Sequence, residues 1–322
     1  MAGLLAPAVT EFAIEVTRGL TKPGQKLLSP RYFYDDLGSA LFEAITFLPE
    51  YGLTRADERL LKAYSGAIAE RAGKVRIIAE LGSGSGRKTG SLLAAIEDRD
   101  TATYYPIDVS PSALSACAKQ LQELVRVQPV CSDWMDGLAS ITRTREPGQR
   151  MLLLFLGSSI GNIERTKVAR FLSQLRRQLV PGDYFLLGAD LVQDVDVMLA
   201  AYNDPTGVTA AFNLNLLGRI NRELGGEFNL RLFQHEARWN PDTRAIEMHL
   251  VSSSKQDVYI GGLERAVHFE VGESIWTEAS HKFLPDELDR FASESGFTPV
   301  QRWVDAEWPF AEALWEVRDT AS

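Results

Sequence analysis

VRIIAELGSGSGRKT, residues 75–89, places an apolar run directly before a glycine-rich stretch. The run VRIIAEL (75–81) predicts a buried β-strand. Glycines at 82, 84 and 86 predict a loop whose backbone can approach a ligand closely, and LLAAIED (92–98) predicts the helix that follows. The stretch therefore indicates the first strand, loop and helix of a ligand-binding α/β fold, although a tight strand-to-helix turn without a ligand would look the same.

Strand-like and helix-like segments alternate downstream of this stretch. Continuous apolar strands separated by helices predict a parallel, doubly wound sheet. The predicted strands are TYYPIDV (103–109), VQPVCSD (127–133), MLLLFLG (151–157), DYFLLGADLV (183–192), TPVQRWV (298–304) and AEALWEV (311–317). The predicted helices are PSALSACAKQLQELV (111–125), ERTKVARFLSQLRRQL (164–179) and LPDELDRFASESGF (284–297).

Two segments depart from this alternation and predict a second, smaller α+β domain. The first sixty or so residues have a helical pattern. Residues from about 193 contain a helical segment, AYNDPTGVTAAFNLNLLGRINREL (201–224), and then strands RLFQHEARW (231–239), AIEMHLVSS (245–253) and SIWTEASHKF (274–283). We therefore expect a sheet domain of residues 61–192 and 283–322, and a second domain of residues 1–60 and 193–282.

Composition narrows the function classes. The chain has 322 residues, 45% of them hydrophobic, and a net charge of -9, which argues against a nucleic-acid partner. Its most apolar stretch, MLLLFLG, is far shorter than a membrane span, and the start MAGLLAPAVTEF lacks the basic segment of a signal peptide. We expect a cytoplasmic protein whose two cysteines are buried thiols, with one structural disulfide as the alternative. The four histidines show no ligand spacing, so no metal site is expected.

Acidic residues follow the second and third predicted strands. Asp108 is placed to accept hydrogen bonds from ribose hydroxyls, and Asp133 and Trp134 are placed to meet an adenine amino group and ring. An acid after each of these strands is the arrangement expected for S-adenosylmethionine, and the loop lacks the GxGxxG pattern of dinucleotide sites because Arg87 and Lys88 follow the last glycine. Two alternatives stay open: Asp108 capping a helix together with Ser110, and Asp133 lying in solvent.

The segment SIWTEASHKF carries polar side chains at the strand period. Glu278 and Ser280 lie two residues apart and therefore share one face of the strand, beside Trp276. Such a face could hold a ligand. From the stretch alone, a solvated strand face explains the same pattern.

Taken together, these motifs resemble those of the histidine-specific Nα-methyltransferase family, which uses S-adenosylmethionine to trimethylate L-histidine in ergothioneine biosynthesis. The resemblance runs nearly end to end. It rests on RYFYDDLGSALFEAIT (31–46), LPEYGLTR (48–55), ELGSGSGRKT (80–89), PIDVS (106–110), FLGSSIGNIER (155–165), LLGADLVQD (186–194), AYNDPTGVTAAFN (201–213), AIEMHL (245–250) and TEASHKF (277–283).

The resemblance implies a Rossmann-like class I methyltransferase sheet with a smaller substrate-binding domain, and it implies site residues by position. The implied cofactor residues are Gly82, Lys88, Asp108, Asp133 and Trp134, the last in place of a common phenylalanine. The implied substrate residues are Phe42, Tyr51, Gly157, Asn162, Tyr202, Met248, Glu278 and Ser280, with Tyr34 implied as the catalytic residue. Gly52 departs from relatives that often have a second aromatic after the position of Tyr51, which puts the rigidity of the pocket there in doubt.

In the family, the glutamate and the serine bind the imidazole, while the asparagine and the tyrosine matching Tyr202 hold the α-carboxylate. Packing alone would explain Met248, Tyr34, Phe42 and Tyr51 equally well. The resemblance thus implies a monomeric enzyme with a small-molecule substrate, L-histidine, and no membrane partner. A methyltransferase of the same fold acting on another aromatic amino acid or small amine is the alternative, and a non-catalytic S-adenosylmethionine-binding regulator is a further one.

Overall fold

The computed structural model describes residues 7–319, and for residues 7–10 the backbone only. The chain forms two compact units: unit 1 combines Met1–Tyr51 with Asp194–Ser280, and unit 2 combines Gly52–Gln193 with His281–Ser322. The outermost residues of the expected domains, 1–6 and 320–322, lie outside the described part.

One expected domain boundary is wrong. The division between residues 60 and 61 would cut the helix Gly52–Ala72, which belongs whole to unit 2. The reason is packing, since Leu61, Ile68 and Ala72 of this helix are buried in the core of that unit. A helix with one continuous apolar face belongs to the unit against which that face packs, so a domain boundary does not fall inside it.

Helices and strands follow one another along the whole described chain. The helices are α1 (Pro7–Leu20), α2 (Asp36–Ile45), α3 (Gly52–Ala72), α4 (Gly90–Ala95), α5 (Pro111–Leu121), α6 (Trp134–Arg143), α7 (Arg165–Gln178), α8 (Val195–Tyr202), α9 (Val208–Leu224) and α10 (Pro285–Glu294). The strands are β1 (Lys26–Leu27), β2 (Ile77–Leu81), β3 (Thr103–Asp108), β4 (Arg126–Val127), β5 (Val130–Cys131), β6 (Met151–Phe155), β7 (Tyr184–Asp190), β8 (Phe233–Asn240), β9 (Ala245–Ser252), β10 (Gln256–Ile260), β11 (Arg265–Phe269), β12 (Ser274–His281), β13 (Thr298–Val304) and β14 (Phe310–Glu316).

Unit 2 is built on an eight-stranded sheet with the order β13-β14-β7-β6-β2-β3-β4, in which β5 also pairs with β3. The pairs from β4 to β7 are parallel, and β14 is antiparallel to both β7 and β13. This is the doubly wound, Rossmann-like sheet expected from the sequence. The strand order reverses between β2 and β6, so ligands are expected outside the carboxyl ends of these two strands.

Both faces of the sheet are covered by apolar side chains. One core cluster packs Leu153 and Phe185 against Leu172 of α7, and the other packs Leu152 and Leu186 against Leu61 of α3. Every residue of β2 and β6 is buried, as a parallel sheet between two helical layers requires.

Unit 1 contains a four-stranded sheet with the order β1-β12-β9-β8 and a separate antiparallel hairpin, β10–β11. Helix α9 packs on β8 and β9, and α2 packs on α9. The elements therefore form the α+β arrangement expected for the second domain.

Four local expectations differ from the structure. The predicted strand VQPVCSD is broken into β4 and β5, with Pro129, which cannot donate a ladder hydrogen bond, between the pieces. The predicted helix 201–224 is interrupted after Tyr202, because Asp204 instead accepts backbone bonds that begin α9. The hairpin β10–β11 was not predicted. Cys131 is exposed rather than buried, and both cysteines are free thiols.

Candidate active site

The glycine-rich loop after β2 has a backbone that requires glycine. Gly82, Gly84 and Gly86 have φ of 67°, 54° and 71°, in the left-handed region that side chains disfavour. A Cβ on Gly86 would lie 2.5 Å from the sulfur of Cys117, and one on Gly82 would lie 3.3 Å from the indole nitrogen of Trp134. The loop is therefore packed closely on α5 while its backbone passes beside the Trp134 ring.

Asp108 ends β3 beside this loop, and its carboxylate holds the loop in place. Oδ2 accepts a hydrogen bond from the Gly84 N–H at 3.0 Å, and Oδ1 accepts one from the Ser110 N–H at 2.9 Å. Burial raises the pKa of Asp108, against the lowering effect of these backbone bonds. Ser110 caps α5 as the sequence predicted. Each carboxylate oxygen retains a lone pair that could accept from a hydroxyl donor.

Asp133 and Trp134 begin α6. Oδ1 of Asp133 caps the helix by accepting from the Met135 and Asp136 N–H groups, both at 3.0 Å, and the residue is exposed. The half-buried Trp134 ring stacks edge-on against Phe155, with ring centroids 4.9 Å apart. Asp133 is therefore exposed to solvent, as the alternative had it, and it also caps a helix. Its second carboxylate oxygen has no hydrogen-bond partner among residues 7–319.

Lys88 lies between two loops of unit 2. Its ammonium forms an ion pair with Oδ2 of Asp57 at 2.7 Å, and the same oxygen accepts a hydrogen bond from the Gly157 N–H at 2.9 Å. Burial lowers the pKa of Lys88, but the Asp57, Glu80 and Glu312 carboxyl groups outweigh it, so the net shift is upward. Lys88 is therefore held as a cation at this position.

Asp57 was missed at the sequence level, although a signal was present. In GLTRADERLL (52–61), Asp57 occupies a position between Leu53 and Leu60 on the apolar face of a helix. The structure buries it completely. A charged residue on an apolar helical face requires a polar partner, and that partner here is Lys88.

A second buried acid lies beneath the glycine-rich loop. Oε2 of Glu80 accepts hydrogen bonds from the hydroxyls of Thr89 at 2.7 Å and Tyr104 at 2.5 Å. Burial raises the pKa of Glu80 to about 7, against the opposing effect of these two bonds. The group therefore fixes the loop from below and is protonated at slightly acidic pH.

In unit 1, the polar residues of β12 are inside the protein. Glu278 and Ser280 are 7% and 5% exposed, so the alternative of a solvated strand face is wrong. The Tyr202 hydroxyl donates a hydrogen bond to Oγ of Ser280 at 2.7 Å. The structure thus brings Ser280 and Tyr202 into direct contact. The strand that carries Ser280 also buries Glu278, two residues away.

Met248 lies on β9, the neighbour of β12 in the sheet. It is 2% exposed, and its carbonyl oxygen accepts a bond from the Thr277 hydroxyl at 2.9 Å. The same Thr277 hydroxyl lies 2.8 Å from Oδ1 of Asn213 on α9, so its one proton is shared between the two acceptors. The bond from Thr277 to the Met248 carbonyl therefore ties the strand that carries Glu278 to the neighbouring strand that carries Met248.

Aromatic side chains pack together in unit 1. The Tyr34 ring lies 5.7 Å from Phe42 and 5.9 Å from Phe212, measured between centroids. Tyr51 and Tyr202 meet edge to face at 5.9 Å. Phe212 was not among the expected site residues. It is buried on α9, and the sequence signal for it was its place in AYNDPTGVTAAFN, one of the blocks that carry the family resemblance.

The remaining expected residues, Gly157 and Asn162, belong to unit 2 and follow β6. Gly157 has φ of 67°, and a Cβ there would lie 2.6 Å from Nζ of Lys88. Asn162 is exposed at the end of a short 3-10 helix, Ser159–Asn162. Gly52, where the sequence left rigidity in doubt, is covered, because a Cβ there would overlap the Trp308 ring.

Two features are absent from the described residues. Between residues 7 and 319, no group of three or more His, Cys, Asp or Glu side chains could hold a metal ion. No helix in that range combines the length and apolarity that crossing a bilayer takes.

Comparison with known proteins matches nearly the whole chain. Residues 12–317 fit a family model described as histidine-specific methyltransferase, SAM-dependent. A histidine N-alpha-methyltransferase of Mycobacterium tuberculosis (strain CDC 1551 / Oshkosh) is 42% identical over 93% of both chains, and one of Mycolicibacterium smegmatis (strain ATCC 700084 / mc(2)155) is 39% identical over 93% of both. An ergothioneine biosynthesis protein 1 of Neurospora crassa is 30% identical over 88% of this chain and 32% of its own length.

Proposed function

The chain belongs to the histidine-specific, S-adenosylmethionine-dependent methyltransferase family, and from that premise we propose that it methylates the α-amino nitrogen of L-histidine three times. The product is Nα,Nα,Nα-trimethylhistidine, which the family resemblance connects with ergothioneine biosynthesis. The observation that carries the proposal is the burial of Glu278 and Ser280 on one strand, with Tyr202 bonded to the serine.

Unit 2 offers groups that fit S-adenosylmethionine. The left-handed glycines keep the backbone of the loop after β2 free of side chains, which a close approach of the cofactor requires. Asp108 would accept from the ribose hydroxyls, and Asp133 and Trp134 would meet the adenine amino group and ring. When bound, S-adenosylmethionine supplies a methyl group on a positively charged sulfur, which a neutral amine can accept by in-line displacement.

The acceptor groups of unit 1 fit an imidazole. Glu278 would accept from one ring N–H, and the Ser280 hydroxyl would meet the second ring nitrogen. A hydrogen bond to a charged acceptor contributes about 1.5–3 kcal/mol. Both groups are buried, and the apolar side chain of a substrate such as leucine offers neither of them a hydrogen bond, which penalises its binding.

Tyr202 positions the serine. Its hydroxyl donates to Ser280, so that the serine oxygen can donate its own proton onward or accept from a ring N–H. In the family the corresponding tyrosine holds the α-carboxylate together with an asparagine, here Asn162. Those two roles stay predictions for this chain.

Tyr34 is proposed to act on the amine. Each methyl transfer needs a neutral nitrogen, and amino groups with a pKa near 8 in peptides deprotonate readily near neutrality, so orientation matters more than a strong base. A tyrosine hydroxyl can orient the amine, and its ring can stabilise the growing cation by roughly 0.5–2 kcal/mol. The packing of the Tyr34 ring on Phe42 and Phe212 gives it a fixed setting.

The test is calorimetric titration in the presence of S-adenosylhomocysteine. We expect L-histidine to bind at least roughly a hundredfold more tightly than L-tyrosine or L-tryptophan, because only an imidazole pairs both buried groups. Equal or tighter binding of tyrosine or tryptophan would move the assignment to a methyltransferase for another aromatic amino acid. Binding of S-adenosylhomocysteine with no amino acid bound would instead favour a regulator.

A further inference from the structure

Asp57 joins two loops through one atom. Its Oδ2 lies 2.7 Å from the Lys88 ammonium, in the segment after β2, and 2.9 Å from the Gly157 nitrogen, directly after β6. These are the two strands between which the sheet order reverses. Asp57 itself is fully buried on α3.

We propose that Asp57 is a positioning residue for cofactor binding: one carboxylate oxygen fixes the Lys88 ammonium and the Gly157 N–H relative to each other at the reversal point of the sheet. The inference rests on the proposed role of Lys88 in holding the cofactor. It does not depend on which amine accepts the methyl group.

Gly157 allows this arrangement because it has no side chain. A Cβ there would lie 2.6 Å from the lysine nitrogen and 4.0 Å from Oδ2 of Asp57. A free lysine could move away from such a Cβ, but a lysine tied to a buried carboxylate cannot without losing the ion pair. The close approach of loop and ammonium is therefore set by the Asp57 bond.

Glu312 of β14 completes the cluster from behind. Both of its carboxyl oxygens and Oδ1 of Asp57 are buried and have no hydrogen-bond partner among the described residues. Burial, followed by the Asp57 charge, raises the pKa of Glu312 well above its usual range. Glu312 therefore offers Asp57 no cation, and Lys88 is the cation that pairs with it.

Helix α3 is fastened next to Asp57, so the carboxylate cannot follow a moving loop. Two contacts hold the helix. Arg59 donates hydrogen bonds of 2.8 and 2.6 Å to the two carboxylate oxygens of Asp305, and Gly52 lies against the Trp308 ring. The Trp308 indole nitrogen in turn donates to Asp190 at 2.8 Å. Asp57 is thus presented from a rigid support, as a positioning residue must be.

Calorimetric titration of S-adenosylhomocysteine tests the proposal on the full chain. Asp57→Asn keeps the size of the side chain but removes the charge, and we expect the dissociation constant to rise about ten- to a hundredfold. Lys88→Ala should weaken binding similarly, and adding Asp57→Asn to it should have little further effect, because the aspartate acts through the lysine. A purely structural role would instead give additive losses.

A matched variant completes the test. Asp183→Asn changes an equally buried carboxylate that pairs with a cation, Arg145, and accepts a hydrogen bond from the Met151 N–H at the amino end of β6. It should lower stability and leave the dissociation constant within twofold.

Two results would overturn the proposal. The first is Asp57→Asn binding S-adenosylhomocysteine within twofold of the parent, and the second is a loss that adds fully to that of Lys88→Ala. Should Asp57→Asn be unfolded by circular dichroism, Lys88→Ala alone decides, since unchanged binding there leaves nothing for the aspartate to position.

Discussion

Replacing Glu278 probes the proposed imidazole contact most sharply. Glu278→Gln retains the shape of the side chain and removes its charge, whereas Glu278→Ala removes the acceptor altogether. The residue is only 7% exposed, so water cannot take over the lost bond in either variant.

The expected magnitudes follow from the loss of a charge-assisted bond. Such a bond contributes about 1.5–3 kcal/mol, and a neutral one about 0.5–1.5 kcal/mol. Glu278→Gln should therefore cost about 1–1.5 kcal/mol of binding free energy, which raises the KM for histidine roughly five- to tenfold. Glu278→Ala should raise it by about ten- to a hundredfold.

Initial rates at saturating S-adenosylmethionine, with histidine varied, measure both effects. The affinity for S-adenosylhomocysteine should stay unchanged, because the residues proposed to bind the cofactor belong to unit 2. Glu236→Gln, which alters an exposed carboxylate on β8 paired with Arg238, is the matched control and should behave like the parent. Values of KM within twofold of the parent for both Glu278 variants would refute the reasoning.

Three further predictions use other parts of the protein. Tyr34→Phe should bind histidine with near-parental affinity but change the proportions of mono-, di- and trimethylated product in single-turnover experiments; unchanged rates at all three steps would contradict its role. Asp108→Asn should weaken S-adenosylhomocysteine roughly tenfold in calorimetry, with histidine affinity in the same titration as the control. Glu80 has a folded pKa of about 7, above its unfolded value, so it stabilises the protein below about pH 4.5 and loses that contribution as pH rises through 7. Relative to Glu80→Gln, the parent should therefore lose on the order of 3 kcal/mol of unfolding free energy between pH 5 and 8 in urea titrations, and parallel pH profiles would exclude this.

Much of the fold followed from sequence periodicity. Continuous apolar runs identified β2, β3, β6 and β7 because strands buried on both faces have no polar alternation. The glycines of the first loop were readable for another reason, since backbone with positive φ disfavours residues that carry a side chain.

Two misread elements had local signals, since Pro129 cannot donate a ladder hydrogen bond and Asp204 accepts the backbone bonds that begin α9. Tertiary contacts account for the rest of what the sequence did not reveal. Whether Glu278 faced water or protein was undecidable from SIWTEASHKF, since β12 carries polar residues on both faces and only its neighbours bury them. Asp57 is bound to residues far along the chain, so its partners became visible only in the structure.

Mass spectrometry of the product after incubation with S-adenosylmethionine and L-histidine tests the central claim most directly. The proposed pocket predicts successive gains of one, two and three methyl groups, all located on the α-nitrogen by fragmentation. No gain with histidine, or methyl groups on the imidazole ring, would contradict a site in which Glu278 and Ser280 hold the ring and leave the amine to react.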